Sequence, residues 1–274
     1  MAIQLFVKRA GAGPAVVLLH GLFGAGGNLG SLARALQGAF TVFSVDLPSH
    51  GKSDWLSPLS LAAMASAVQQ CMDVQGMSAA HFVGHSLGGK VAMQLALQSP
   101  KRVQSLVVAD IAPVSYTPSH ETVFAALESV VALPCASRTE AATRMATHLG
   151  EETVIQFLLS SLHRDGQGIY HWRFDLDGLR ADYRALLAAP EGGSMYSGPV
   201  LFIKGANSDY IAEQHWPAVQ ALFPSATVKV MPGCGHWLHS QKPQLFNGIV
   251  ARFLAPQEGR KLSKAFSNQP LNER

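Results

Sequence analysis

The sequence predicts an α/β protein: a mostly parallel sheet with helices on both faces and a helical cap inserted into it. Three observations carry this. Short continuous apolar runs rich in β-branched residues, among them Ala15-Val16-Val17-Leu18-Leu19 and Val200-Leu201-Phe202-Ile203, suit strands buried on both faces. Such runs alternate with segments of helical periodicity, as crossover-linked parallel strands require. The alternation stops after Pro113 and resumes at Pro199.

In chain order, residues 3–7 read as a first strand, and Gly11-Ala12-Gly13-Pro14 as a turn. The Ala15–Leu19 strand ends in His20-Gly21-Leu22-Phe23-Gly24 and a Gly-rich loop. Residues 28–36 look helical, with Leu29, Leu32, Ala33 and Leu36 on one face. A strand over 40–45 runs into Asp46-Leu47-Pro48-Ser49-His50-Gly51-Lys52-Ser53. Residues 59–72 keep Leu61, Met64, Ala65, Val68 and Met72 at helical spacing. A strand over 79–83 precedes Gly84-His85-Ser86-Leu87-Gly88-Gly89 and a helix-like run. Val103–Ala109 is the next strand, ending at Asp110-Ile111-Ala112-Pro113. Residues 119–133, 138–149, 152–162 and 177–187 are helical by periodicity, with no strand expected among the first three. Beyond the 199–204 strand come a short helix near 213–222, a strand over 227–231 and a closing helix, Pro243–Leu254.

This order divides the chain into a core of residues 1–113 and 199–255, a cap of 114–198 and a polar tail of 256–274. A chain of 274 residues that is 48% hydrophobic has ample material for such a core. The net charge is +3, and two of those charges fall in the tail, so the sequence gives no basic face for nucleic acid. Three cysteines, Cys71, Cys135 and Cys234, are odd in number and widely spaced, which fits reduced, buried thiols in a cytoplasmic protein. No metal-ligand spacing, secretory signal or membrane-spanning apolar run is visible.

Chemistry-bearing residues gather at strand ends: His20-Gly21, Ser86, Asp110 and Gly233-Cys234-Gly235-His236. Open α/β sheets bind ligands beyond the carboxyl ends of their strands. Gly84-His85-Ser86-Leu87-Gly88 is a G-x-S-x-G sequence between a strand and a helix, the setting of a nucleophilic serine on a strained turn. A serine hydroxyl needs a base, and His236, in the loop after the last strand, is the candidate; His239 is the alternative. His20 and His85 suit loop hydrogen bonds, and Asp46 and His50 suit bracing of a neighbouring loop. Asp110 and Asp209 are both candidates for the acid that orients the imidazole.

His20-Gly21, Asp46-x-x-x-His50-Gly51-x-Ser53, Gly84-His85-Ser86-Leu87-Gly88-Gly89 and Gly235-His236-Trp237 resemble the landmarks of the α/β-hydrolases, in family order, over residues 15–254. Ala109-Asp110-Ile111-Ala112-Pro113, Trp172-Arg173-Phe174 and Gly205-Ala206-Asn207-Ser208 further resemble the YbfF-type bacterial esterases and the ABHD11 group. The resemblance implies the α/β-hydrolase fold, Asp110 as the acid and a hydrogen bond from Ser208 that assists the histidine. It also implies a serine hydrolase acting on a small-molecule acyl ester or thioester, without metal or organic cofactor. Family geometry puts the oxyanion hole at the N–H of Leu87 and that of Leu22, with Phe23 as the alternative. Phe23, Trp172 and Trp237 are candidate pocket residues, and Phe124, Phe157, Leu158, Arg173 and Phe174 either line an acyl pocket or pack the cap. Carbon–carbon bond hydrolysis or a lyase step, and a non-catalytic binding role, are the alternatives on the same scaffold.

Overall fold

A computed structural model describes residues 3–255; the polar tail of 256–274 lies outside the described residues. Seven strands form one sheet: β1 (Val7–Ala10), β2 (Ala15–Leu19), β3 (Thr41–Val45), β4 (Ala80–His85), β5 (Val103–Ala109), β8 (Val200–Gly205) and β9 (Ala226–Met231). Their order is β1-β3-β2-β4-β5-β8-β9. All pairs are parallel except β1 with β3. The first strand starts later than residues 3–7 suggested. The backbone of Gln4 and Phe6 is taken by the 46–54 loop instead: Phe6 N–H donates to Ser53 Oγ (2.8 Å) and Phe6 C=O accepts from Asp46 N–H (3.0 Å).

Side chains alternate across the sheet and feed two cores. Val17, Leu19, Phe82, Leu106, Val108 and Phe202 pack on one face, with α2 (Leu61–Val74) and α3 (Leu87–Gln98). Val16, Leu18, Val83, Val107, Leu201 and Ile203 pack on the other, with α1 (Gly30–Leu36) and α11 (Pro243–Leu254). Burial on both faces explains the continuous apolar runs, and each fully buried Phe or Leu contributes roughly 1.5–3 kcal/mol. Helix α3 is buried along residues 87–97 between the sheet and α2, with the backbone at residues 114 and 187–191 bonded to its Lys90 and Gln94.

Between β5 and β8 lie residues 114–198. They hold α4 (Glu121–Val131), α5 (Arg138–Ala146), α6 (Glu152–Leu159), α7 (Leu176–Ala181) and α8 (Tyr183–Leu187). The segment is not all helix. After α6 the chain forms an antiparallel hairpin of β6 (Leu162–Arg164) and β7 (Tyr170–Trp172), with Leu162 opposite Trp172. The expected helix over 177–187 is two helices meeting at Asp182, whose carboxylate accepts from Leu59 N–H (2.7 Å) and ties the turn to the core. A short helix missed in the sequence, α10 (Leu238–Gln241), follows the His236 loop, and α9 (Trp216–Leu222) lies between β8 and β9. All three cysteines are buried free thiols. Among the described residues no helix is long and apolar enough to cross a membrane.

Candidate active site

The sheet reverses its strand order between β2 and β4. The chain runs from β2 to β3 on one side, then crosses to β4 on the other. Such a switch point is where α/β sheets open a crevice. His20-Gly21 leaves β2 there and His85-Ser86 leaves β4.

Ser86 sits at φ 52° and ψ −118°, a region that costs a non-glycine residue on the order of 1–3 kcal/mol. Its neighbours allow the turn. A Cβ on Gly84 would lie 2.3 Å from Gly88 O, and one on Gly88 would lie 2.3 Å from Leu19 O. Only glycine lets β4, α3 and the end of β2 approach this closely. Ser86 N–H donates to Ala109 O (3.0 Å), so pairing of β4 with β5 sets the serine level with the start of the Asp110 loop.

Asp110 is fully buried and also has positive φ, 53°. Its N–H donates to Ile203 O (2.8 Å), while its Oδ1 accepts Gly205 N–H (2.9 Å). Oδ2 accepts both His236 Nδ1–H (2.9 Å) and the Ser208 hydroxyl. His236 thus has its Nδ1 committed to the carboxylate, which leaves Nε2 as the ring's free acceptor. Asp209, the alternative acid, is exposed, and the hydrogen bond to His236 comes from Asp110 instead. Ser208 bonds the acid rather than the histidine, a correction to the expected assistance.

Of the surrounding buried histidines, His85, His20 and His50 brace backbone groups. His85 Nε2–H donates to the backbone C=O of His236 (2.9 Å), and burial together with the neighbouring His239 and His236 holds its pKa well below the ordinary value. His239, the alternative base, is buried behind His85 with rings 4.3 Å apart, and burial lowers it to about 4. His20 and His50 each accept a backbone N–H, which fixes the tautomer. His20 Nε2 accepts from Leu47 (3.0 Å) and its Nδ1–H donates to Gly21 O (2.8 Å). His50 Nε2 accepts from Phe23 (3.2 Å) and its Nδ1–H donates to Pro48 O (2.9 Å). Burial first of all pulls His20 to about 4 and His50 to about 3. Asp46 accepts Gly26 N–H (2.7 Å) and Lys52 N–H (2.9 Å), joining the two loops.

The pairing of Phe23 bears on the oxyanion donors. Its N–H is spent on His50, whereas Leu22, half-buried, lines the cavity beside Ser86. Leu87 is the first residue of α3, and the first-turn amides of a helix lack an intrahelical acceptor. Phe23 itself has φ 62°, packs on Phe124 and Phe174, and has its C=O held by Ser161 Oγ–H (2.8 Å) from the cap.

Ser86 and His236 line one cavity of roughly 210 Å3, walled by Gly21, Leu22, Phe23, Val123, Val154, Phe157, Leu158, Tyr210 and Trp237. Trp172 does not line it. Its indole N–H donates to Leu127 O (3.0 Å) and its ring stacks on Phe174 at 5.3 Å, so it packs the cap. An adjoining, more polar opening of roughly 490 Å3 shares His120, Tyr210 and His236 and adds Thr117, Ser119, Asn207 and Asp209. A larger groove, roughly 520 Å3, runs behind the Gly24–Asn28 loop and contains none of Ser86, Asp110 or His236. Tyr210, Val123 and Val154 were not singled out in the sequence; Tyr210 lies two residues beyond Ser208, its one positional signal.

A strained serine on a strand–helix turn and a carboxylate–imidazole pair, gathered at the switch point of a seven-stranded sheet, define an α/β-class hydrolase. Residues 16–249 match the model of the Alpha/beta hydrolase family, and the chain belongs to that family. It is 40% identical over 250 residues to the sn-1-specific diacylglycerol lipase ABHD11 of Mus musculus, covering 88% of this chain and 81% of the mouse protein. It is also 40% identical over 240 residues to Esterase YbfF of Escherichia coli K12, covering 87% and 92% of the two chains. A marine microorganism esterase superposes with a TM-score of 0.89 at 33% identity, over 92% of this chain and all of the other. The YbfF-type and ABHD11-like likeness read from the sequence is therefore shown, and the protein is a hydrolase.

Proposed function

We propose that this hydrolase cleaves carboxylic esters or acyl thioesters through an acyl-enzyme on Ser86. The observation that carries the reading is the Asp110–His236 hydrogen bond, 2.9 Å long, beside a cavity that Ser86 and His236 share. His236 Nε2 takes the Ser86 proton as Oγ attacks the substrate carbonyl. Asp110 keeps the proton on Nδ1 and stabilises the imidazolium that forms. The N–H groups of Leu22 and Leu87 receive the oxyanion; each such donor is worth about 10²- to 10³-fold in kcat. His236 then protonates the leaving alcohol or thiol, and water attacks the acyl-enzyme with His236 again as base.

The apolar wall of Phe23, Val123, Val154, Phe157, Leu158 and Trp237 suits an acyl chain. The polar opening on the far side of His236 suits the leaving group. The names of the mouse and bacterial relatives, a lipase and an esterase, support ester chemistry.

The test is hydrolysis of p-nitrophenyl butyrate and of butyryl-CoA by wild-type protein and by Ser86→Ala, with a fluorophosphonate probe as an independent reporter. We expect ester turnover, covalent labelling at Ser86, and loss of both in Ser86→Ala. Absence of labelling on the native protein, or turnover that survives in Ser86→Ala, refutes the acyl-enzyme. Inertness toward all acyl esters in a labelled protein favours carbon–carbon bond cleavage.

A further inference from the structure

We propose that Lys90 and Tyr116 are positioning residues for His236: Lys90 pins both ends of the cap segment to the nucleophile helix, and Tyr116 holds the Tyr210 ring against the imidazole. The inference rests on reading His236 as the base.

Lys90 lies one helical turn beyond Ser86 on α3 and is only 2% exposed. A buried ammonium is costly unless every donor is matched. Here Nζ donates to three backbone carbonyls: Val114 (2.9 Å), Leu187 (2.7 Å) and Ala188 (2.6 Å). Val114 is where the chain enters the cap segment, and Leu187 and Ala188 lie where it returns toward β8. One side chain therefore clamps entry and exit together. Burial lowers the ammonium to about 7, and the three carbonyls match the three donors of its charged form.

Tyr116 continues the connection. Its ring lies 4.8 Å from Lys90 Nζ, in cation–π range, and its own N–H donates to Leu187 O (3.0 Å). Its hydroxyl accepts Ala112 N–H (2.8 Å) and donates to Tyr210 O (2.5 Å). Tyr210 is held at its other end as well, its N–H reaching Ser208 Oγ (3.3 Å). Fixed at both ends, Tyr210 stacks on His236 with ring centroids 4.1 Å apart and planes 28° apart. The hydrogen bond to Asp110 fixes one edge of the imidazole, but a ring can still tilt about that edge. The face contact with Tyr210 restricts this tilt, and so sets where Nε2 points. Tyr116 lines the adjoining polar opening with His236, but its hydroxyl, the group that Tyr116→Phe removes, is spent on Ala112 N–H and Tyr210 O, and Lys90 lines neither that opening nor the Ser86 cavity.

Tyr116→Phe tests this, because it keeps the ring beneath Lys90 and removes only the hydroxyl. We expect kcat for p-nitrophenyl butyrate to fall about tenfold, a fraction of what a general base supplies. KM should stay within twofold, and the acid limb of the pH–rate profile, set by protonation of His236, should move. Lys90→Met should lower kcat at least as far, with a lower melting temperature. Tyr196→Phe, which removes a buried tyrosine hydroxyl bonded to Val103 O elsewhere, should leave kcat unchanged. A second readout does not depend on turnover: the NMR shift of the His236 Cε1 proton carries the Tyr210 ring current and should move in Tyr116→Phe. Unchanged kcat overturns the proposal, whether or not the shift moves. If wild-type protein neither hydrolyses esters nor labels, the acyl-enzyme reading has failed, and the proton shift alone decides whether Tyr116 positions the ring.

Discussion

Asp110→Asn is the most informative single substitution. The carboxylate receives three donors and makes no donation: Gly205 N–H on Oδ1, His236 Nδ1–H and the Ser208 hydroxyl on Oδ2. An asparagine amide has one oxygen for these two sides. With the oxygen toward His236, its NH₂ meets Gly205 N–H in a fully buried site, leaving donors unmatched at about 1–3 kcal/mol. With the oxygen toward Gly205, the NH₂ drives His236 into the tautomer that carries the proton on Nε2, which removes the base. A fall of about 10³- to 10⁴-fold in kcat follows, or about 4–5.5 kcal/mol of transition-state stabilisation. Steady-state kinetics on p-nitrophenyl butyrate measure it, with circular dichroism melting to separate misfolding from lost chemistry. Asp209→Asn, altering an exposed carboxylate, should stay within a few-fold of wild type. Asp110→Asn within tenfold of wild type, or Asp209→Asn as the more damaging change, refutes the reasoning.

Acid should destabilise the protein through its loop histidines. His20 and His50 are fully buried and titrate near 4 and 3, against 6.5 in the unfolded chain, so below pH 6.5 the unfolded state takes up protons that the folded state does not. Their contribution is complete above pH 6.5 and is lost as pH falls toward 4, at on the order of 3 kcal/mol for His20 alone. Urea midpoints measured from pH 8 to 4.5 should hold level and then drop, and a level series throughout contradicts the assignment. Phe157→Ala should lengthen the preferred acyl chain, since Phe157 lines the cavity with its ring 4.2 Å from that of Trp237. Room for two more methylenes at about 0.8 kcal/mol each raises kcat/KM for p-nitrophenyl hexanoate relative to butyrate by about tenfold. An unchanged chain-length profile removes Phe157 from the acyl wall.

The central parallel strands were legible because burial on both faces gives apolar runs, as in Ala15–Leu19. The Ser86 turn was legible because two close backbone approaches demand Gly84 and Gly88. What escaped obeys other rules. The β6–β7 hairpin has three-residue strands containing His163, Arg164 and His171, too short and polar to show a period, although Asp165-Gly166-Gln167-Gly168 carries turn residues. Residues 3–6 alternate as a strand would, yet their backbone partners lie in the 46–54 loop, a tertiary choice invisible to local pattern. Trp172 read as pocket or packing, with packing the safer reading for any single cap aromatic, and its indole N–H reaches Leu127 O, on the packing side. Lys90 stood out least, because a lysine beside an apolar run reads as a surface residue.

The Lys90 clamp has a consequence for how such a chain can be rebuilt. All three of its acceptors are main-chain oxygens, so the anchorage does not read the identity of the side chains it holds. Side chains between these junctions can therefore change without loosening this anchor, provided Ser161 and Asp182, whose own side chains hold Phe23 O and Leu59 N–H, are kept. A graft must preserve the path of the backbone at two junctions, one at Val114 and one at Leu187-Ala188, and keep Tyr116 near the first.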